Sequence, residues 1–323
     1  MIASRRATWL LQGRGSLLIL AAAVLLLPLI VSTNFHYRVL VLVWVFSLAV
    51  IGLNLLMGYA GQVSLGHAGF FALGAYSTAL GPPLLNMPPW ASLPAGIALS
   101  GLVAFVIGRP ILRLKGHYLA VATLGFGVLV YMGLSNEIRL TGGPDGMRVE
   151  RLLLFGWSVR SNVTWYWITG GLMLLGAWLA LNLVGSPSGR AIRAIHDSEV
   201  AASALGVDAA AYKLLVFVIS AAYASAAGGL LALFNGHVTP GLSDFLISIQ
   251  LVTMVVLGGM GSILGSVVGA ALLVLLPQVL TFLQDYEHAF LGLIMILTMI
   301  FLRSGLVPGL LKLLTKDGHE GNP

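Results

Sequence analysis

From Val39 to Gly108 the chain carries no Asp, Glu, Lys or Arg, a run of 70 residues. Further charge-free runs cover 116–136, 161–189, 214–243, 245–284 and 288–302. A helix that crosses a bilayer needs about 20 apolar residues, so each run holds one span or several. Soluble domains carry about 25% charged residues; here the figure is 9%, against 58% hydrophobic. Buried helices of a soluble protein would need a polar shell that this sequence lacks. The chain reads as an all-α, polytopic transmembrane bundle.

Gly–Pro-rich breaks divide the apolar mass. The expected spans are 16–33, 39–57, 64–81, 91–108, 117–134, 163–184, 213–235, 246–259, 263–281 and 288–303, about ten, with eight to ten acceptable. The segments 64–81 and 246–259 are short enough to be re-entrant or broken. Breaks are expected at Gly58–Gly61, at "GPPLLNMPP" (81–89), at "RPILRLKG" (109–116) and at "GGMGSILG" (258–265). Arg5, Arg6 and Arg14 before an apolar run resemble a signal peptide, but no small-x-small cleavage site follows, so a retained first helix is expected.

Ten spans put both termini on one side. If that side is cytoplasmic, the inner segments hold 12 Lys and Arg and the outer ones hold 5, as the positive-inside rule requires. Residues 185–212 then lie inside. Residues 135–162, with "RLTGGPDGMRVERLLLFGW", form a structured outer loop, either a plain connector or a docking surface. A single transmembrane domain, 1–323, is expected: a bundle over 16–305 and a cytoplasmic tail over 306–323. A faint internal echo sets Gly58, Gly61 and Gly69 against Gly258, Gly261 and Gly269, each 200 positions apart; transporters often contain repeats.

One stretch breaks the apolar pattern: "SGRAIRAIHDSEVAASALGVD", 188–208. Ser186 is suited to an N-cap with Pro187 at N1. Ile192, Ile195, Ala202 and Leu205 are expected to form one apolar stripe, and Arg193 can pair with Asp197 four residues on. Gly206 can stop the helix and Asp208 can cap the next. The segment is therefore a helix-turn element on the inner surface, either meeting anionic lipid or gripped by a cytoplasmic partner.

Much chemistry is missing from the sequence. There is no Gly–Lys pair for a phosphate loop, no metal-ligand spacing, no cysteine, and no basic soluble domain for nucleic acid. "GQVSLG" is not a nucleophile elbow. Polar side chains near membrane depth include Asn54, Gln62 and His67, which are candidates for lining a path, although His67 reads first as a helix-packing or interface residue. No charged side chain lies well inside a span, which argues against a proton- or sodium-coupled carrier.

"GYAGQVSLGHAGFFALGAY" (58–76), "LKGHYLAVATLGFG" (114–127), "LTGGPDGM" (140–147), "SPSGRAIRAIHDSEVAASALGVD" (186–208), "KLLVFVISAAYASAAGGLLA" (213–232) and "LGGMGSILGSVVGA" (257–270) stand in one order. Together they resemble permeases of branched-chain amino acid ABC importers, of the LivM type. That resemblance implies a LivH-type second permease, two cytoplasmic ATPase subunits that bind the ATP and Mg, and a periplasmic binding protein delivering leucine, isoleucine or valine. It implies a bacterial inner-membrane location and no catalytic or cofactor site in this chain. It also implies that 186–208 faces the ATPases, with Gly189, Arg190, Arg193, Glu199, Ala201, Ala202 and Gly206 as the coupling positions. His196 stands where the family usually has arginine. A urea or short-amide importer of the same superfamily is the alternative, with a self-sufficient channel or carrier behind it.

Overall fold

The computed structural model describes residues 14–31, 33–154, 157–279, 292, 293, 296 and 305–309. The expected span 288–303, most of the tail 306–323 and the basic residues Arg5 and Arg6 lie outside the described residues. The chain runs through helices α1 (Arg14–Ile30), α2 (Asn34–Asn54), α3 (His67–Leu85), α4 (Pro89–Ile111), α5 (His117–Asn136) and the single turn α6 (Ile138–Thr141). It continues through α7 (Asn162–Gly185), α8 (Pro187–Asp197), α9 (Glu199–Ala204), α10 (Ala209–Asn235), α11 (Phe245–Gly258) and α12 (Ile263–Val279). Among the described residues, five helices are long and apolar enough to cross a membrane: Asn34–Tyr59, Pro89–Ile111, His117–Asn136, Asn162–Gly185 and Ala209–Asn235. The molecule is an all-helical membrane protein, and among the described residues its strands form two short antiparallel pairs.

Helix α2 is the axis. It packs against α7, α10, α11 and α12, and all its residues from Ser47 to Asn54 are buried. A second packing centre is the crossing of α3 and α10, which is close because both helices bring glycine to it. A Cβ on Gly228 would collide with the Phe71 carbonyl, and one on Gly74 with the Ser225 backbone. In lipid there is no hydrophobic drive between apolar helices, so backbone approach of this kind and interhelical hydrogen bonds carry association. Examples of the latter are Tyr166 Oη donating to Val24 O at 2.7 Å and Tyr223 Oη to Gly176 O at 2.7 Å.

The two ends of the bundle are distinct. At one, called basal here, the segment after α4 meets α9 through Lys115 and Glu199. At the other, apical end, β1 (Met147–Arg148) pairs with β4 (His237–Val238), and β2 (Leu153–Leu154) with β3 (Trp157–Ser158). The described residues of the loop 135–162 are structured, as expected.

Several boundaries differ from the sequence reading. The break placed at Gly58–Gly61 begins later: α2 passes into a π-helical turn, Leu55–Tyr59, before an irregular loop over 60–66. As a result α3 starts at His67 rather than at 64. Pro82 and Pro83 lie inside α3, and the chain turns only at Asn86, whose φ of 48° ends the helix in the left-handed region. Pro88 and Pro89 then open α4, where a missing N–H costs little. Arg109 and Pro110 likewise belong to the last turn of α4.

The glycine echo has a structural counterpart. Gly61 (φ 67°) and Gly261 (φ 74°) both leave the right-handed region just after a helix ends. The two turns also meet: a Cβ on Gly58 would run into the Gly261 amide. Asn54 ties them together. Its Nδ2 donates to Gly259 O (3.3 Å), Ser262 O (2.9 Å) and Ser266 Oγ (2.7 Å), and its Oδ1 accepts from Gly261 N (2.9 Å). Asn54→Ala removes these bonds and orphans a backbone N–H, a loss of about 2–4 kcal/mol. The unfolding midpoint of the purified protein in detergent is expected to drop clearly; an unchanged midpoint would show that this knot carries no weight.

Candidate coupling surface and the polar sites of the bundle

The charged stretch at the basal end folds as two helices rather than one. Ser186 Oγ accepts from Gly189 N and starts α8, with Pro187 at N1. Ser198, with φ −160° and ψ 109°, interrupts the helix and re-caps it, its Oγ accepting from Ala201 N. Gly206 (φ 85°) ends α9, and Asp208 Oδ1 accepts from Ala211 N to start α10. Sequence logic therefore located every cap except the one at Ser198, a short polar residue whose side chain competes with helix continuation.

That break rotates the second half of the expected stripe. Ile192 joins the main core, while Ile195 and Ala202 form a small cluster with Ala209. Leu205, expected on the same stripe, is 84% exposed, and Val200 is 80% exposed. Arg193 and Asp197, expected to pair, make no ion pair. Among the described residues the ion pairs are Lys213–Glu199 at 2.8 Å and Lys115–Glu199 at 3.6 Å.

The candidate coupling residues thus divide into two groups. Arg190, Arg193, Ala201 and Gly206 are exposed on the basal face, beside the apolar Val200 and Leu205. Gly189, Ala202 and Glu199 face inward. Gly189 is a packing glycine: a Cβ there would strike the carbonyls of Leu183 and Val184 at the end of α7. Ala202 is buried, and Glu199 braces α9 against α10 and the segment after α4. The hydrogen bond from Lys213, with the charges of Lys213 and Lys115, holds the Glu199 carboxyl below its ordinary value of 4.5. What the sequence reading missed is the exposure of Val200 and Leu205. Two large aliphatics flanking "AASA" were the available signal.

The three polar candidates inside the bundle differ as well. Asn54 is spent on the knot described above. His67 is buried between two serines, Nδ1 lying 2.8 Å from Ser64 Oγ and Nε2 2.6 Å from Ser220 Oγ. It ties the 60–66 loop to α10. Gln62 is 4% exposed, and neither side-chain atom finds a partner among the described residues.

A bundle of apolar spans with a capped, charged helix pair exposed at one end defines a multi-pass membrane protein. The comparisons agree on which kind. The family model described as "Branched-chain amino acid transport system / permease component" matches residues 35–299, and the chain belongs to this family. Among relatives, the high-affinity branched-chain amino acid transport system permease protein LivM of Escherichia coli K12 is 34% identical over 91% of this chain and 74% of its own length. LivM of Salmonella typhimurium is 36% identical over 80% of this chain. The chain covers 66% of that relative's length. LivH of Escherichia coli K12 is 27% identical over 71% of this chain and 79% of its own. No solved structure matches.

The brace at Glu199 has a pH signature. A carboxyl whose pKa is lower folded than unfolded stabilises the fold above the unfolded value. That stabilisation is lost as pH falls through the folded value. Acidification from neutral pH to below 4.5 is expected to lower the melting temperature of the wild type more than that of Glu199→Gln. Near neutral pH the variant should be less stable by about 0.5–1 kcal/mol, as for a partly exposed pair. Parallel melting curves in detergent would expose an error here.

Proposed function

We propose that this chain is the transmembrane permease subunit of an ATP-driven importer for the branched-chain amino acids leucine, isoleucine and valine. In this reading it lies in a bacterial inner membrane with about ten spans and cytoplasmic termini. The basal end then faces the cytoplasm. Two ABC ATPase subunits dock on the face formed by α8 and α9, and they, not this chain, bind ATP and Mg. A second permease of the LivH type completes the translocation path, and a periplasmic binding protein delivers substrate to the apical loops around β1 and β4. The exposed basal face of charged and apolar side chains, in a chain of this family, is the observation that carries the reading.

The arrangement accounts for the driving force. An embedded acid or base is the usual handle of an ion-coupled carrier, and none of the polar candidates here is an embedded acid or a base free to relay protons. Asn54 and His67 are held by internal hydrogen bonds, which supports entry of energy from outside the membrane region, through a surface helix. Of the three, Gln62 keeps an unpaired amide and is the best placed to meet a polar group along the path. Arg190 and Arg193 present guanidinium groups that can hold carboxylates or carbonyls in fixed geometry. Val200 and Leu205, exposed on the adjoining helix α9 and its C-cap, supply apolar area to the same surface element.

Uptake of labelled leucine, with urea in parallel, is the deciding experiment, in vesicles holding this chain with its neighbouring subunits. Leucine uptake should require both ATP and the binding protein. Urea uptake instead would move the chain to the amide importers, and transport by this chain alone without ATP would overturn the importer reading. Arg190→Glu is expected to cut ATP-dependent uptake by about tenfold or more, through like-charge contact at the interface, with insertion into the membrane unchanged.

A further inference from the structure

The inference rests on the importer reading and concerns how motion of the surface helix enters the bundle. Three observations line up. The first is at the end of α8. His196 is exposed to solvent on one side, and on the other its imidazole lies over Gly61, the left-handed glycine of the 60–66 loop. A Cβ at Gly61 would meet Nδ1, and would lie 3.1 Å from Cε1 and 3.4 Å from Cγ. Only glycine leaves both the φ and the space for that ring.

The second observation is the π-helical turn Leu55–Tyr59 immediately before this loop. Helix α8 packs on it: Leu55 and Tyr59 face Gly189 and Ile192 across a small gap. A π-turn carries an extra residue per turn and interrupts the regular ladder, and such turns gather at functional sites. The third is Asn54, the residue that opens the π-turn and holds Gly259, Gly261, Ser262 and Ser266. Seven positions separate Asn54 from Gly61. The surface helix, the irregular loop, the π-turn and the Asn54 knot are therefore one contiguous path of packed backbone.

We propose that His196 and Gly61 are a positioning pair for transport, the contact through which displacement of α8 by the ATPases shifts the 60–66 loop and reaches the Asn54 knot. Ile192 contributes apolar packing, which lets surfaces slide. The ring seated on a bare glycine backbone transmits both push and lateral shift. Histidine at 196 is then a matched partner for the bare backbone of Gly61.

The test is the ratio of substrate moved to ATP hydrolysed, in liposomes containing the complete importer and its binding protein. His196→Ala changes an exposed side chain and is expected to assemble normally. Gly61→Ala forces the ring away and strains the loop. Each is expected to lower the ratio by about fivefold or more, the scale of a coupling between sites. The double variant should be no worse than the more severe single one, as for two halves of one contact. A His196→Ala importer with the wild-type ratio, or losses that multiply in the double variant, would overturn the pair. A wild-type importer that moves leucine separates that failure from failure of the importer reading, which would show as no leucine transport at all.

Discussion

Irregular backbone at membrane depth must find its hydrogen bonds within the protein, because lipid offers none. Among the described residues, two of the helix breaks near the basal end, after α2 and after α11, are served by one amide side chain. Asn54 has two donors and an acceptor, and all are engaged across a sequence separation of more than two hundred residues. The rest of the bundle is arranged around that fixed point. Helix α2 is buried because it carries Asn54 to the centre. Gly58 and Gly261 are bare because the two turns must come within reach of the same side chain.

Much of the architecture was legible in the residues themselves. Charge-free runs placed the helices, since a bilayer-spanning segment tolerates few ionised groups, and the described helices fall close to the expected spans. Caps were legible where a short polar residue precedes a helix, as at Ser186 and Asp208. The errors have one origin: local punctuation was given too much weight. Pro82 and Pro83 sit in the last turn of α3, where the helix ends at Asn86 rather than at the first proline. Conversely, residues 55–66 hold a π-turn, Leu55–Tyr59, and a seven-residue loop. Those depend on contacts with α5, α8 and α12 that no local pattern announces.

The candidate sites show the same division. A charged segment in an apolar chain marked the basal face, but not which of its residues face out. That choice depends on Ser198, which turns α9 so that Glu199 reaches Lys213 while Val200 and Leu205 point away from the bundle. Polar residues at membrane depth were also found by type alone. Their state differs with tertiary context: Asn54 and His67 are satisfied by distant partners, and Gln62 is not.

Val200 and Leu205 carry a consequence for the chain on its own. Both belong to the short surface helix pair, at 80% and 84% exposure, and the rest of the fold packs without covering them. Exposed apolar area set among polar groups is surface that gains from being covered. A neighbour seated there would draw affinity from two side chains that take no part in the bundle's own core.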